Sequence, residues 1–325
     1  MTRLLLALAA ACLAAPFAAD AAGAQRPRDR DRDRDRDRYD ERDDDRQEVG
    51  ARIDTTFAFA RGGVVDLTLV SGEIVVTGWD RGEARIDAHS ERGTLRLDVT
   101  GSRITLDLGS RRRQGETRYE VSVPAGTRVL MRSTSGDLSA RGLTGEVEAR
   151  TVSGDIDVDG AGALAFESIS GDVTLRRLGG SVRGSSVSGE IGIEGVAGDV
   201  DAETVSGTIS VTGARSRSVS TETVSGEVTY AGSIDPSGRY EFTSHSGEIR
   251  LVLPATVGAR FGVETFSGEI DSDFPLTMGA RNRDRERPMR MEFTLGAGGA
   301  RVTAQTFSGS VRLEKAGAVA PSPRR

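Results

Sequence analysis

Histidine, serine and carboxylate stand together in this 325-residue chain at His245, Ser246 and Glu248. These are the residue types of a nucleophilic hydrolase, in which a serine is activated by a base that a third group orients. A catalytic serine must be unique, and Ser246 is not. Ser-Gly pairs recur at Ser71, Ser135, Ser153, Ser170, Ser188, Ser206, Ser225, Ser246, Ser267 and Ser308. Ten equivalent serines are structural. His245 fills the position held elsewhere by Val152, Ile169, Val187, Val205, Val224, Phe266 and Phe307, so it is expected to pack in or near the core as a substitute for an apolar residue. The only other histidine, His89, has no ligand spacing around it. No zinc motif, phosphate-binding glycine loop or nucleophile elbow occurs. No residue is therefore assigned to catalysis, to a cofactor or to a metal.

Two ladders accompany the pairs. Directly after them come Glu73, Asp137, Asp155, Asp172, Glu190, Glu227, Glu248 and Glu269, with Thr208 and Ser310 as the exceptions. Like charges one strand spacing apart repel by roughly 0.9 kcal/mol per neighbour in water, so this ladder must face solvent or be neutralised. Oxygen ligands suit Ca²⁺, but the glycine-rich, Asp-bearing nonapeptide of calcium-binding β-rolls is absent. A solvated acidic stripe is the preferred reading, and cation binding by Asp137, Asp155, Asp172 and Glu190 stays open. Two residues ahead of the paired serines lie hydroxyls, Ser133, Thr151, Ser168, Ser186, Thr204, Thr223, Ser244, Thr265 and Thr306. These are expected to bond backbone groups at the corner.

The spacing of the pairs defines the elements that carry them. From Ser135 the intervals are 18, 17, 18, 18, 19, 21, 21 and 41 residues, the last close to two periods. Glycines recur at half this period from Gly136 to Gly207, each followed two residues later by an aliphatic such as Leu138, Val147, Ile156 or Leu164. Ile156 and Val158 alternate with Asp155 and Asp157, the period of a half-buried strand. Each repeat thus supplies two short strands joined by tight glycine corners. One repeat cannot stand alone: about four inward aliphatics contribute roughly 1.5–3 kcal/mol each, against about 1–2 kcal/mol for every residue ordered. Stability must come from stacking coil upon coil. The fold class expected is all-β, a β-solenoid of about thirteen coils over residues 52–315, with less regular capping strands at the N-terminal end. An antiparallel β-sandwich is the alternative.

Composition fits a thin aliphatic core, with 5% aromatic residues, 41 Gly and a net charge of −6. That charge argues against nucleic acid as a partner. Residues 1–24 read as a signal peptide, with Arg3, an apolar run from Leu4 and the small residues Ala22-Gly23-Ala24 before cleavage. The apolar run is shorter than a bilayer-spanning helix, and no later stretch spans a membrane. Cys12, the sole cysteine, lies inside this leader, so the exported product would carry no disulfide; a lipoprotein cleaved at Cys12 is the competing reading. Residues 25–51 form an Asp/Arg-rich linker, whose 26–46 segment holds nine arginines against ten acidic residues and nothing to bury. An N-terminal β region follows over 52–130, the repeats over 131–315 and a disordered tail over 316–325. The loops at Arg111-Arg112-Arg113 and at 271–292, with its RNRDRER run, interrupt the repeats and are expected to make specific contacts.

The signal peptide, VSGEIVVTGWD at Val70–Asp80, VPAGT at Val123–Thr127 and the repeated T-x-S-G-[DE]-[IV] resemble the bacterial "putative adhesin" β-strand-repeat family of unknown function. The resemblance covers about residues 50–315 and carries no catalytic residues to transfer. It implies an exported, non-enzymatic protein of the periplasm, cell surface or extracellular space, with an envelope or surface protein or polysaccharide as partner. An envelope scaffold that self-associates through its open ends is a second reading. A β-helical polysaccharide-active enzyme is a third, disfavoured by a single tryptophan, Trp79.

Overall fold

The computed structural model describes residues 50–109, 115–275 and 289–317. The signal peptide, nearly all of the linker and tail, the Arg111–Arg113 loop and the RNRDRER run lie outside these residues. The described chain is all β, with 25 strands and no helix. Strands that run into the Ser-Gly corner, such as Glu146–Ser153 and Ala163–Ser170, stack in parallel as a front sheet. Strands that leave it, such as Ile156–Ala161 and Val173–Leu178, stack as a back sheet. The 14-residue strand Arg128–Arg141 bends through the corner and belongs to both. The architecture is the expected β-solenoid.

The coils do not stack in chain order. In space they run 103–108 with 117–124, then 64–79, 128–141, 146–161, 163–178, 182–194, 200–212, 218–231, 239–253, 300–315 and 259–272. That is eleven, not thirteen, because the remaining strands are antiparallel caps. Near the N-terminus the chain steps outward to 103–124, then crosses back over the 64–79 coil through Pro124-Ala125-Gly126-Thr127. Ala125 N–H bonds Trp79 O at 2.9 Å and Arg128 N–H bonds Gly63 O at 2.9 Å during the step. At the other end Pro254-Ala255-Thr256-Val257-Gly258 carries the chain past one vacant rung. The final coil fills that rung: Val302 pairs Tyr240 on one side and Phe261 on the other. The 41-residue interval and the 64-residue gap after Ser71 are therefore crossovers with caps rather than whole periods.

Period-two alternation aims one set of side chains between the sheets. One row runs Ile104, Val65, Val129, Val147, Leu164, Val182, Val200, Val219, Tyr240, Val302, Phe261, all buried. The facing row on the back sheet includes Ile156, Val173, Ile191, Ile209, Val228, Ile249 and Val311. In a third row Phe166 stands between Ala149 and Gly184. A β-carbon on Gly184 would fall 2.3 Å from the Phe166 ring, so the large residue takes the volume its neighbour lacks.

The Ser-Gly corner depends on glycine for a different reason. A β-carbon at Gly154, Gly171 or Gly189 would lie 2.4, 2.2 and 2.2 Å from the carbonyl oxygen of the glycine in the preceding coil. Gly268 would meet Gly309 O, not Gly247 O, which independently marks the inserted coil. The outermost coil has Thr117 at this position. Beyond it lies only the cap, where Ser90 and Thr117 hydroxyls meet at 2.9 Å.

The opposite corner uses a left-handed residue at Gly142, Gly160, Gly195 and Gly213, but Arg177 holds it with φ 53°. Its exposed guanidinium pairs with Asp159. Antiparallel strands close the ends. Leu95–Thr100 lies on Arg103–Leu108, Glu83–Ser90 on Thr117–Pro124, Ala51–Ala58 on Glu83–Ser90, and Met289–Leu295 on Ala259–Ser267. Arg52 and Asp54, and Arg96 and Asp98, face outward on the two N-terminal edge strands, a pattern that discourages further strand addition.

Two outcomes follow from this packing. Gly184→Ala should destabilise by about 1–3 kcal/mol through overpacking, and adding Phe166→Leu should restore part of the loss in denaturant titrations. Arg177→Gly should raise stability by roughly 0.5–1 kcal/mol, since relief of the left-handed conformation outweighs an exposed ion pair; a lower midpoint would show that the pair dominates.

Candidate functional site: the Ser-Gly edge

The acidic ladder lies on the solvent side of the corner, and its carboxylates have structural work. Asp137 Oδ1 accepts the N–H of Asp155 at 3.0 Å, Asp155 Oδ1 that of Asp172 at 2.9 Å, and Asp172 Oδ1 that of Glu190 at 2.8 Å. Each aspartate thus receives a backbone donor from the next coil, which offsets part of the repulsion along the stripe. Towards the ends arginine neutralises it: Glu73 pairs Arg118 at 3.0 Å, and Glu248 pairs Arg250 at 3.2 Å and Arg312 at 3.3 Å. Among the described residues no three His, Cys, Asp or Glu converge as metal ligands.

The hydroxyl ladder points inward at the narrow end of the core. Ser186 bonds Ser188 O at 3.0 Å, Ser244 bonds Gly226 O at 3.4 Å and Thr265 bonds Gly309 O at 3.1 Å. Ser133, Thr151, Ser168, Thr204, Thr223 and Thr306 are buried without a hydrogen-bond partner among the described residues. The expected backbone bonds therefore form in three coils of nine. The corner brings the sheets together closely, and small side chains suit that space.

His245 is not in the core. It is exposed, as are Val152, Ile169, Val205, Phe266 and Phe307 at the same position, while Val187 and Val224 are half-buried there. Within a strand such as Val200–Ser206, Val200, Ala202 and Thr204 point inward, which puts Asp201, Glu203 and Val205 outside. Apolar character at this position reflects an outer ridge, not burial. In spatial order the ridge runs Val70, Thr134, Val152, Ile169, Val187, Val205, Val224, His245, Phe307, Phe266, ten rungs spanning about 45 Å at strand spacing. Ile169 is 43% exposed, Phe307 49% and Phe266 55%. At the C-terminal end the rings stack in parallel: His245 on Phe307 at 5.0 Å, and Phe307 on Phe266 at 4.8 Å. Strand parity was the signal that could have placed this ridge outside.

The His245 and Glu248 side chains are engaged separately: Glu248 by two arginines, His245 by ring stacking. His89 stands exposed between Arg52 and Arg118 on neighbouring strands. Trp79 is half-buried; its indole N–H donates to Glu83 O at 2.8 Å and Arg81 lies over its ring. On the outer face beside the ridge, Glu203 sits next to Glu222; burial, then Glu222 and Asp201, raise its carboxyl above the ordinary range.

Among proteins of curated function none matches this sequence. Solved structures with a similar chain path include a putative adhesin from Bacteroides fragilis, 12% identical, covering 81% of this chain and 96% of that one, TM-score 0.42. A putative lipid binding protein from Parabacteroides distasonis is 11% identical over 82% and 97%, TM-score 0.37. A putative adhesin from Parabacteroides merdae is 7% identical over 82% and 96%, TM-score 0.35. The Toastrack DUF4097 family model matches residues 144–314, the coils from Gly145 to the inserted last one. By that match, over more than half of its length, the chain belongs to the Toastrack DUF4097 family.

Proposed function

We propose that the protein is an exported, non-catalytic binding module of the bacterial cell envelope or surface, which holds a macromolecular partner along the Ser-Gly edge. The carrying observation is the apolar ridge. An aligned outer stripe, apolar at most rungs and exposed at Val152, Ile169, Val205, Phe307 and Phe266, supports a contact site for another macromolecule. The parallel sheets beneath hold it straight, so a partner meets a preformed surface and loses little freedom in ordering it. The leader read at residues 1–24 supports export, and no helix among the described residues is long and apolar enough to cross a membrane.

The test uses purified full chain and envelope fractions of the producing bacterium. Retention on those fractions is expected. Replacing Ile169, Val205 and Phe307 by serine should cut it by about tenfold or more, since each apolar side chain buried at a contact contributes roughly 1.5–3 kcal/mol. These side chains are exposed, so the variant should unfold at an unchanged midpoint. Equal retention of the variant, or none of the parent chain, would remove the proposal. Protease treatment of intact and lysed cells should show digestion before lysis for a surface protein, whereas protection until lysis would place the module inside the envelope.

A further inference from the structure

Arginine stacks on arginine at three places in the described solenoid. Arg132 neighbours Arg150, Arg250 neighbours Arg312, and Arg301 lies between Arg239 and Arg260. Guanidinium groups one rung apart repel unless neutralised. At the first two places carboxylates do so: Arg132 pairs Asp66 at 2.7 Å and Arg150 pairs Glu148 at 3.0 Å, while Arg250 and Arg312 share Glu248. The third place differs. Among the described residues Arg301 and Arg260 have no carboxylate within 4.0 Å, and Arg239 reaches only Glu241, at 3.9 Å. All three side chains are exposed on the front sheet.

Beside this row the surface sinks into a trough of about 390 Å³. Its floor is Gly262, where a β-carbon would meet nothing within 4 Å. Thr303, Gln305, Glu264 and Glu292 line it, the last already paired with Arg290 at 2.6 Å. The trough thus combines donors and acceptors for hydroxyl groups with the guanidiniums of Arg260 and Arg301, which have no carboxylate partner among the described residues. The insertion of the final coil creates it, because Arg301 separates two arginines that are closer to each other in sequence than to it.

We propose that Arg239, Arg301 and Arg260, together with the trough over Gly262, bind an acidic oligosaccharide. Its carboxylates meet the guanidiniums, which suit planar carboxylate recognition, and its hydroxyls meet Thr303, Gln305 and the two glutamates. An extended polymer running along the solenoid axis presents successive acidic groups to successive rungs. Carboxylates in the trough repel a densely charged phosphate chain but accept hydroxyl donors, which favours the sugar. The arginine row is separate from the apolar ridge, each arginine lying six residues before His245, Phe307 or Phe266, about 20 Å away along its strand. The far end of the trough, at Gln305 and Glu264, comes within two residues of Phe307 and Phe266.

Fluorescence anisotropy with labelled oligogalacturonate tests this on the full chain, with labelled neutral dextran oligomers as control. Oligogalacturonate should bind and dextran should not, with affinity falling as salt rises. Arg301→Gln should weaken binding by about tenfold or more, and Gly262→Gln, whose β-carbon meets nothing within 4 Å and whose side chain extends over the trough floor, should weaken it as well. Arg215→Gln removes an exposed arginine elsewhere and should leave affinity unchanged. Three results would overturn the proposal: no binding above dextran, equal loss in Arg215→Gln and Arg301→Gln, or competition by inorganic polyphosphate as strong as by oligogalacturonate with Gly262→Gln indifferent. The last would mark a bare anion site. Serine at Ile169 and Val205 alone, on ridge rungs far from the trough, should leave oligogalacturonate binding intact, so either reading can fail without the other.

Discussion

Backbone meets backbone at every Ser-Gly corner, and the rest of the molecule is arranged around that contact. With the carbonyl of one glycine less than a β-carbon's clearance from the next, the corner fixes the rise between coils and keeps successive strands in register. In-register stacking then converts each repeat position into a row. Aliphatic positions become two facing walls of core, hydroxyl positions the narrow seam between them, and the outward positions straight lines of charge or hydrocarbon. Chemistry that would be scattered on a globular surface is concentrated here by translation alone.

Rows carry a cost, because identical charges are brought together too. The chain answers in different ways at different heights. Aspartate is short enough to turn back and accept the N–H of the following coil, so the middle of the acidic stripe is held by the backbone itself. Where the longer glutamate replaces it, arginine from the adjoining strand takes over at Glu73 and Glu248. Only the row through Arg301 lacks such an answer among the described residues, and a bordering trough accompanies it.

Much of the architecture was legible in the residues. The recurring Ser-Gly pair, the half-period glycines and the alternation of Ile156 and Val158 with Asp155 and Asp157 specify strands, corners and stacking, because those features arise from local sterics and period. The order of coils was not legible. The crossover segments at Pro124 and Pro254 look alike, yet neither states that one rung must be skipped, and the partner of Val302 is decided by long-range pairing. The ridge was misread for another reason: hydrophobicity suggested burial, while parity from Thr204 to Val205 requires the opposite face. His245 shared that fate. The arginine row was invisible for lack of adjacency, since positions 239, 260 and 301 become neighbours only after the last coil is inserted.

That insertion gives the end of the chain an architectural duty. Residues 300–315 occupy an interior rung, flanked on both sheets by coils made before them. A polypeptide emerging N-terminus first can wind its regular coils as it appears, but the 259–272 coil has no permanent seat until residues 300–315 arrive. Closure of the stack therefore depends on residues 300–315 pairing on both sides. A chain cut short before that point leaves the strands of 239–253 with bare edges.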